Sequence, residues 1–181
     1  MVRSPLRGAA LLLLAGTLAV MGCLAPAATG GGTAHAATAT ATFSVSQDTY
    51  TSQSNAAATH GSLTYLSANS GTGDERRTYV KVTVSALPSD ASIGAASLQL
   101  RATTSSTGTV TVRSVGTAWD QSALTWANQP APGAPVTSVT GVSAGNLALD
   151  VSSVVRGEGT YAFVLTSSAL TTLTFASREA V

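Results

Sequence analysis

The chain is poor in reactive side chains. Its 181 residues include one cysteine and two histidines, and only 9% are charged and 5% aromatic. A single cysteine, Cys23, excludes an intrachain disulfide. A small exported domain without that staple rests on its apolar core. Neither His35 nor His60 sits in a cluster with metal-ligand spacing, so no zinc site is expected. Nine basic residues stand against eight acidic ones, a formal net charge of +1 with no basic stripe. That balance gives no footing for nucleic acid or an anionic membrane surface as a partner. Long helical periodicities are missing too, and no internal repeat is visible.

The N-terminus reads as an export signal. Arg3 and Arg7 precede an apolar run, Gly8 to Leu24, that stops before Pro26. The run is shorter than the roughly 20 residues of a membrane span, so no span is expected. Two processing routes fit. Ala34-His35-Ala36 is a small-residue cleavage site, which makes residues 1–36 a signal peptide. Val20-Met21-Gly22-Cys23 is a loose lipobox, which makes residues 1–22 a lipoprotein signal and Cys23 the lipid anchor. The expected location is extracellular, with a membrane-anchored lipoprotein as the alternative. Loss of Arg3 and Arg7 turns the formal charge slightly negative. Residues 37–42 read as a flexible lead-in, and residues 43–181 as one domain.

Within the domain the hydrophobic signal has period two. Val80, Val82 and Val84 alternate with Tyr79, Lys81 and Thr83, and Leu98 and Leu100 alternate with Ser97, Gln99 and Arg101. Val110 with Val112, Leu147 with Leu149, Tyr161 with Phe163 and Leu165, and Leu173 with Phe175 repeat the pattern. Such runs are strands with one buried and one wet face, and the Thr and Val content suits them. Gly, Ser, Pro and Asn gather between the runs, as turns require. About eight short strands without intervening helices predict an all-β fold, an antiparallel β-sandwich of jelly-roll type. Asp150 is placed to cap a single helical turn before Gly157.

The order of these segments resembles the DNRLRE-type domains, classed as carbohydrate-binding module family 96. The likeness runs from about Phe43 to Glu179. It is carried by Asp48-Thr-Tyr50, His60-Gly61-Ser62, Arg77-Thr-Tyr-Val-Lys-Val82 and Ile93 to Leu100. Trp119, Thr125-Trp126-Ala-Asn128-Gln-Pro130, Asp150-Val-Ser152, Tyr161 to Leu165 and Phe175-Ala-Ser177-Arg178-Glu179 complete the series. The resemblance implies a secreted, non-catalytic β-sandwich that binds polysaccharide, in some members an acidic one of the alginate type. Members continue past the Ser-Arg-Glu element into a last apolar strand, whereas this sequence stops at Val181. The resemblance therefore implies either a sandwich lacking its last strand or another segment in that place.

The inventory of catalytic groups is thin. His60 stands alone in a loop and reads as a solvated turn residue rather than a general base. Asp48, Asp120, Asp150 and Glu158 are the carboxylates to consider for glycoside hydrolysis. Asp48 and Asp150 lie at strand or turn boundaries, where Asp bonds nearby amides. No enzyme and no cofactor are expected, with a structural calcium as the one metal that Asp oxygens would suit. Glycan binding needs a flat apolar surface, planar hydrogen-bonding groups and, for acidic sugars, cations. The outward residues Tyr79, Lys81, Gln99, Arg101 and Arg113 supply these. Arg101 and Arg113 would share a face if their strands formed a hairpin. Trp126 is expected in the core or as a corner plug, and Trp119 either in the core or as the stacking platform. The functional expectation is a secreted module that binds extracellular polysaccharide through Trp119, Tyr79, Lys81, Gln99, Arg101 and Arg113. The alternative is a cell-surface interaction domain completed by a strand from a partner protein, or a truncated fragment.

Overall fold

The structure, a computed structural model, describes residues 16–24 and 37–180. The Ala34-His35-Ala36 site lies outside them. Ten strands account for nearly all regular structure: β1 (Thr17–Leu24), β2 (Ala37–Ser52), β3 (Tyr65–Ala68), β4 (Arg76–Val84), β5 (Ala91–Ala102), β6 (Ser106–Ser114), β7 (Pro135–Val142), β8 (Gly145–Asp150), β9 (Gly159–Ser167) and β10 (Leu173–Ala176). All ladders are antiparallel. No α-helix occurs among the described residues, and therefore none long and apolar enough to cross a membrane. The expected antiparallel β-sandwich is the fold found.

Two sheets face each other across one core. The first contains β8, β5, β1, the first half of β2, β10 and β3; the second contains the latter half of β2, β4, β9, β6 and β7. β2 belongs to both. Its residues up to Ser44 pair with β1, and those from Val45 on pair with β4. A register shift between Val45 and Gln47 marks the crossing, where the Ser46 hydroxyl donates to the Lys81 carbonyl. A bulge of this kind bends a strand from one layer toward the other. Residues 37–42, expected as a flexible lead-in, are the opening of this strand.

The alternation read in the sequence is the burial seen. Val80, Val82 and Val84 of β4, Leu98 and Leu100 of β5, Val110 and Val112 of β6, Phe163 and Leu165 of β9 and Phe175 of β10 are at most 3% exposed and form one cluster. Each such side chain contributes about 1.5–3 kcal/mol on burial, which lets the domain dispense with disulfides. Leu18 and Val20 of β1 join the same cluster. A segment from the apolar run ahead of the expected domain therefore lies between β2 and β5 and supplies core residues there. The helical turn expected after Asp150 is present. Val155 N–H donates to the Val151 carbonyl, and the Asp150 carboxylate accepts from the Ser152 amide and hydroxyl.

Candidate functional site

The outward residues expected as binding candidates lie on two different surfaces. Arg77, Tyr79 and Lys81 of β4 and Val164 of β9 face away from the core on the second sheet, but that face is not wet. The segment from Val115 to Ala134 folds over it. Tyr79, Trp119, Leu124, Ala162 and Val164 form a second apolar cluster under this cover. Tyr79 is fully buried, and its hydroxyl donates within reach of Gln129 Oε1 at 2.9 Å and the Pro130 carbonyl at 3.2 Å. The reason is simple: alternation assigns a residue to a face but does not say what covers that face.

The covering segment owes its shape to local polar bonds. The Asp120 carboxylate accepts from the Ser122 amide and hydroxyl. Asn128 Oδ1 accepts from the Thr125 amide at 2.7 Å, its own amide donates to Thr125 Oγ1, and its Nδ2 donates to the Ala123 carbonyl. These side-chain bonds replace backbone ladders and fix two successive turns. Of the two tryptophans, Trp119 takes the core place that was one of its two expected positions, and Trp126 lies nearer the surface than expected. Trp119, expected to be the better platform, is 9% exposed, edge-on to Tyr79 with ring centroids 5.9 Å apart, and its indole Nε1 has no partner. Lys81 Nζ stands 4.3 Å above its ring and also bonds the Trp119 carbonyl and Gln47 Oε1. Desolvation lowers the Lys81 pKa, against the pull of Asp120. Trp126, expected to be the corner plug, is half-exposed, with the Arg77 guanidinium 4.6 Å above it.

Arg113 and Arg101 do not share a face. β5 and β6 belong to different sheets, so no hairpin joins them. Arg113 lies at the rim of the covering segment and donates to the Gly133 carbonyl at 3.2 Å. Gln99 and Arg101 instead lie on the outer face of the first sheet. There β8 places Asn146 beside Arg101, Ala148 beside Gln99 and Asp150 beside Ser97. Arg101 and Asn146 are exposed, and Arg101 has no carboxylate partner among the described residues. A shallow groove of about 470 Å³ continues along this face, lined by Ala19, Met21, Thr40, Ala95, Ser97 and Asp150 among others. Asn146 was absent from the expected set. The alternation of Leu147 and Leu149 was the signal for it, since it puts Asn146, Ala148 and Asp150 on the opposite face.

Each carboxylate considered for acid–base work has a structural partner. Asp120 and Asp150 are exposed turn caps, and both are held below the usual carboxylate range first by their serines. Glu158 accepts from the Leu87 amide at 2.7 Å. Asp48 is 2% exposed and accepts from the Arg178 amide. His60 is not a free turn residue. Its ring stacks on Tyr50 at 4.1 Å and its Nδ1 meets the Tyr50 carbonyl at 3.1 Å. No group of three or more His, Cys, Asp or Glu occurs among the described residues.

The pattern that defines carbohydrate-binding module family 96 matches residues 39–181. The chain belongs to that family. It is accordingly a carbohydrate-binding module, a binding domain without catalytic function. A comparison with curated proteins returned no match.

Proposed function

We propose that this module is exported and binds an acidic, uronic-acid-bearing polysaccharide on the outer face of its first sheet. The observation that carries the reading is Arg101. It is an exposed cation without a carboxylate partner among the described residues, set between the Gln99 and Asn146 amides. A guanidinium takes a sugar carboxylate through two parallel hydrogen bonds. Flanking amides supply both donors and acceptors for ring hydroxyls. The alanine floor lets an extended chain lie close, its C–H faces against methyl groups. Tyr79, Trp119 and Lys81 then brace the covering segment, and Arg113 ties its return.

Affinity electrophoresis in gels containing alginate, polygalacturonate or a neutral glucan tests this. The expected result is retardation by the uronic polymers, falling about 10- to 100-fold in affinity for Arg101→Ala, the size of one lost charge-assisted contact. Binding should also weaken with salt. Equal retardation by the neutral glucan, or Arg101→Ala binding as the parent does, would overturn the assignment.

A further inference from the structure

β1 is held by both neighbours at once. It pairs antiparallel with β2 from Thr17↔Ser44 to Leu24↔Ala37, and with β5 from Thr17↔Gln99 to Leu24↔Ala91. Without β1 these two ladders have no partner on that side, because β2 and β5 do not pair with each other among the described residues. Leu18 and Val20 point inward at 0% and 1% exposed, while Met21 on the other face is 49% exposed. A register shift against β5 falls between Met21 and Gly22. The position therefore selects an extended segment with large apolar residues two apart, followed by a small residue where the ladder shifts.

The connection from β1 to β2 is a long one. Residues 25–36 separate the two strands, far more than the 2–5 residues, roughly, of a tight hairpin. The same residues carry the export pattern described above, and cutting at either processing site would sever β1 from the domain or split it. Two open ladders and an uncovered strip of core would remain, the condition under which sheets accept strands from other chains.

We propose that the space between β2 and β5 is a strand-acceptor site that takes, from a partner polypeptide, an extended segment of the pattern Leu-small-Val-x-Gly in the place β1 holds. Recognition would come from backbone ladders on both sides, and selectivity from the two inward pockets now filled by Leu18 and Val20. The site adjoins the proposed glycan surface, because β1 supplies Ala19 and Met21 to the groove on that face; strand uptake is read without glycan, so its failure and that of the glycan reading are distinguishable.

The test uses the full chain with a protease recognition sequence placed within residues 25–36. After folding and cleavage, the N-terminal fragment is expected to co-elute with the body in gel filtration. The cleaved protein is then unfolded and refolded with a labelled synthetic peptide spanning residues 16–24 and carrying Cys23→Ser. Stoichiometric uptake and a higher melting temperature are expected, with uptake at least tenfold weaker for a peptide carrying Leu18→Asp and Val20→Asp. Three results would overturn the proposal. The body refolds equally well without peptide and takes up none. The body forms closed dimers that exclude peptide, which assigns the site to a second copy. The uncleaved chain carrying Leu18→Asp and Val20→Asp melts at the parent temperature, which removes β1 from the site.

Discussion

The carboxyl of Asp48 faces that of Glu179. Asp48 Oδ1 and Glu179 Oε2 are both buried and both lack a hydrogen-bond partner, while Asp48 Oδ2 accepts from the Arg178 amide at 2.9 Å. A proton held between the two would satisfy both oxygens. Burial pushes the Asp48 carboxyl up to about 7, with Glu179 adding to the rise and the Arg178 amide opposing it. A raised carboxyl binds more protons folded than unfolded, so stability falls as pH rises between about 4 and about 7.

His60 works the other way. Its pKa is lowered, chiefly by burial and also by Arg76. Its protonation disfavours the fold, so its contribution is lost as pH falls below about 6.5. The melting temperature of the parent is expected to drop from pH 5 to pH 7 because Asp48 dominates. Asp48→Asn can still accept from the Arg178 amide and can donate to Glu179 Oε2. Its melting temperature should hold or rise over the same interval, leaving the histidine slope alone. Thermal melts at half-unit steps check this, and parallel profiles for the two proteins would refute it.

The tryptophans should be separable by quenching. Trp126 is half-exposed under Arg77 and Trp119 is buried against Tyr79. Trp126→Phe is expected to leave emission that acrylamide quenches several-fold less than in the parent. Trp119→Phe should leave the quenchable component and lose about 1–2 kcal/mol of stability, because the smaller ring leaves part of the space against Tyr79 unfilled.

Tyr79 is expected to be silent in an alkaline titration. Burial pushes its phenol up to about 12, so it stays protonated where an exposed tyrosine ionises. Tyr79→Phe should leave the native absorbance titration below pH 11 unchanged. It should cost about 1–2 kcal/mol, since Gln129 keeps its bond from Thr51 while the Pro130 carbonyl loses a donor. Urea unfolding of both proteins measures the difference.

Gly61 holds two distant loops in contact. Its carbonyl accepts from Gln121 Nε2 at 3.0 Å, and a Cβ at this position would overlap the Gln121 backbone carbonyl. Gly61→Ala should destabilise by about 1–3 kcal/mol through forced separation of the chains. A lower urea midpoint with an unchanged slope is the expected signature.

The core was largely legible because its code is local. Val80, Val82 and Val84 declare a buried face by alternation alone, and that face is where the structure puts them. The other side of β4 was not legible, because what covers Tyr79 and Lys81 arrives some forty residues later in a segment with no periodicity. Arg101 and Arg113 misled for a related reason. Strands adjacent in sequence usually pair, yet the chain between β5 and β6 crosses from one sheet to the other. Leu18 and Val20 were read as parts of an apolar run, since a strand of small and branched residues and an export core share one composition. Gln99 and Arg101 were correctly placed outward, and Asn146 was implied by the same rule.

β2 is one stave common to both layers of the cask. Its first half closes the wall with β1 and its second half closes the opposite wall with β4, so along this edge the two sheets are one continuous backbone. A break at Ser46 would leave the two walls joined by the connections that cross elsewhere, such as β5 to β6, but would free the corner where β2 turns from one layer into the other.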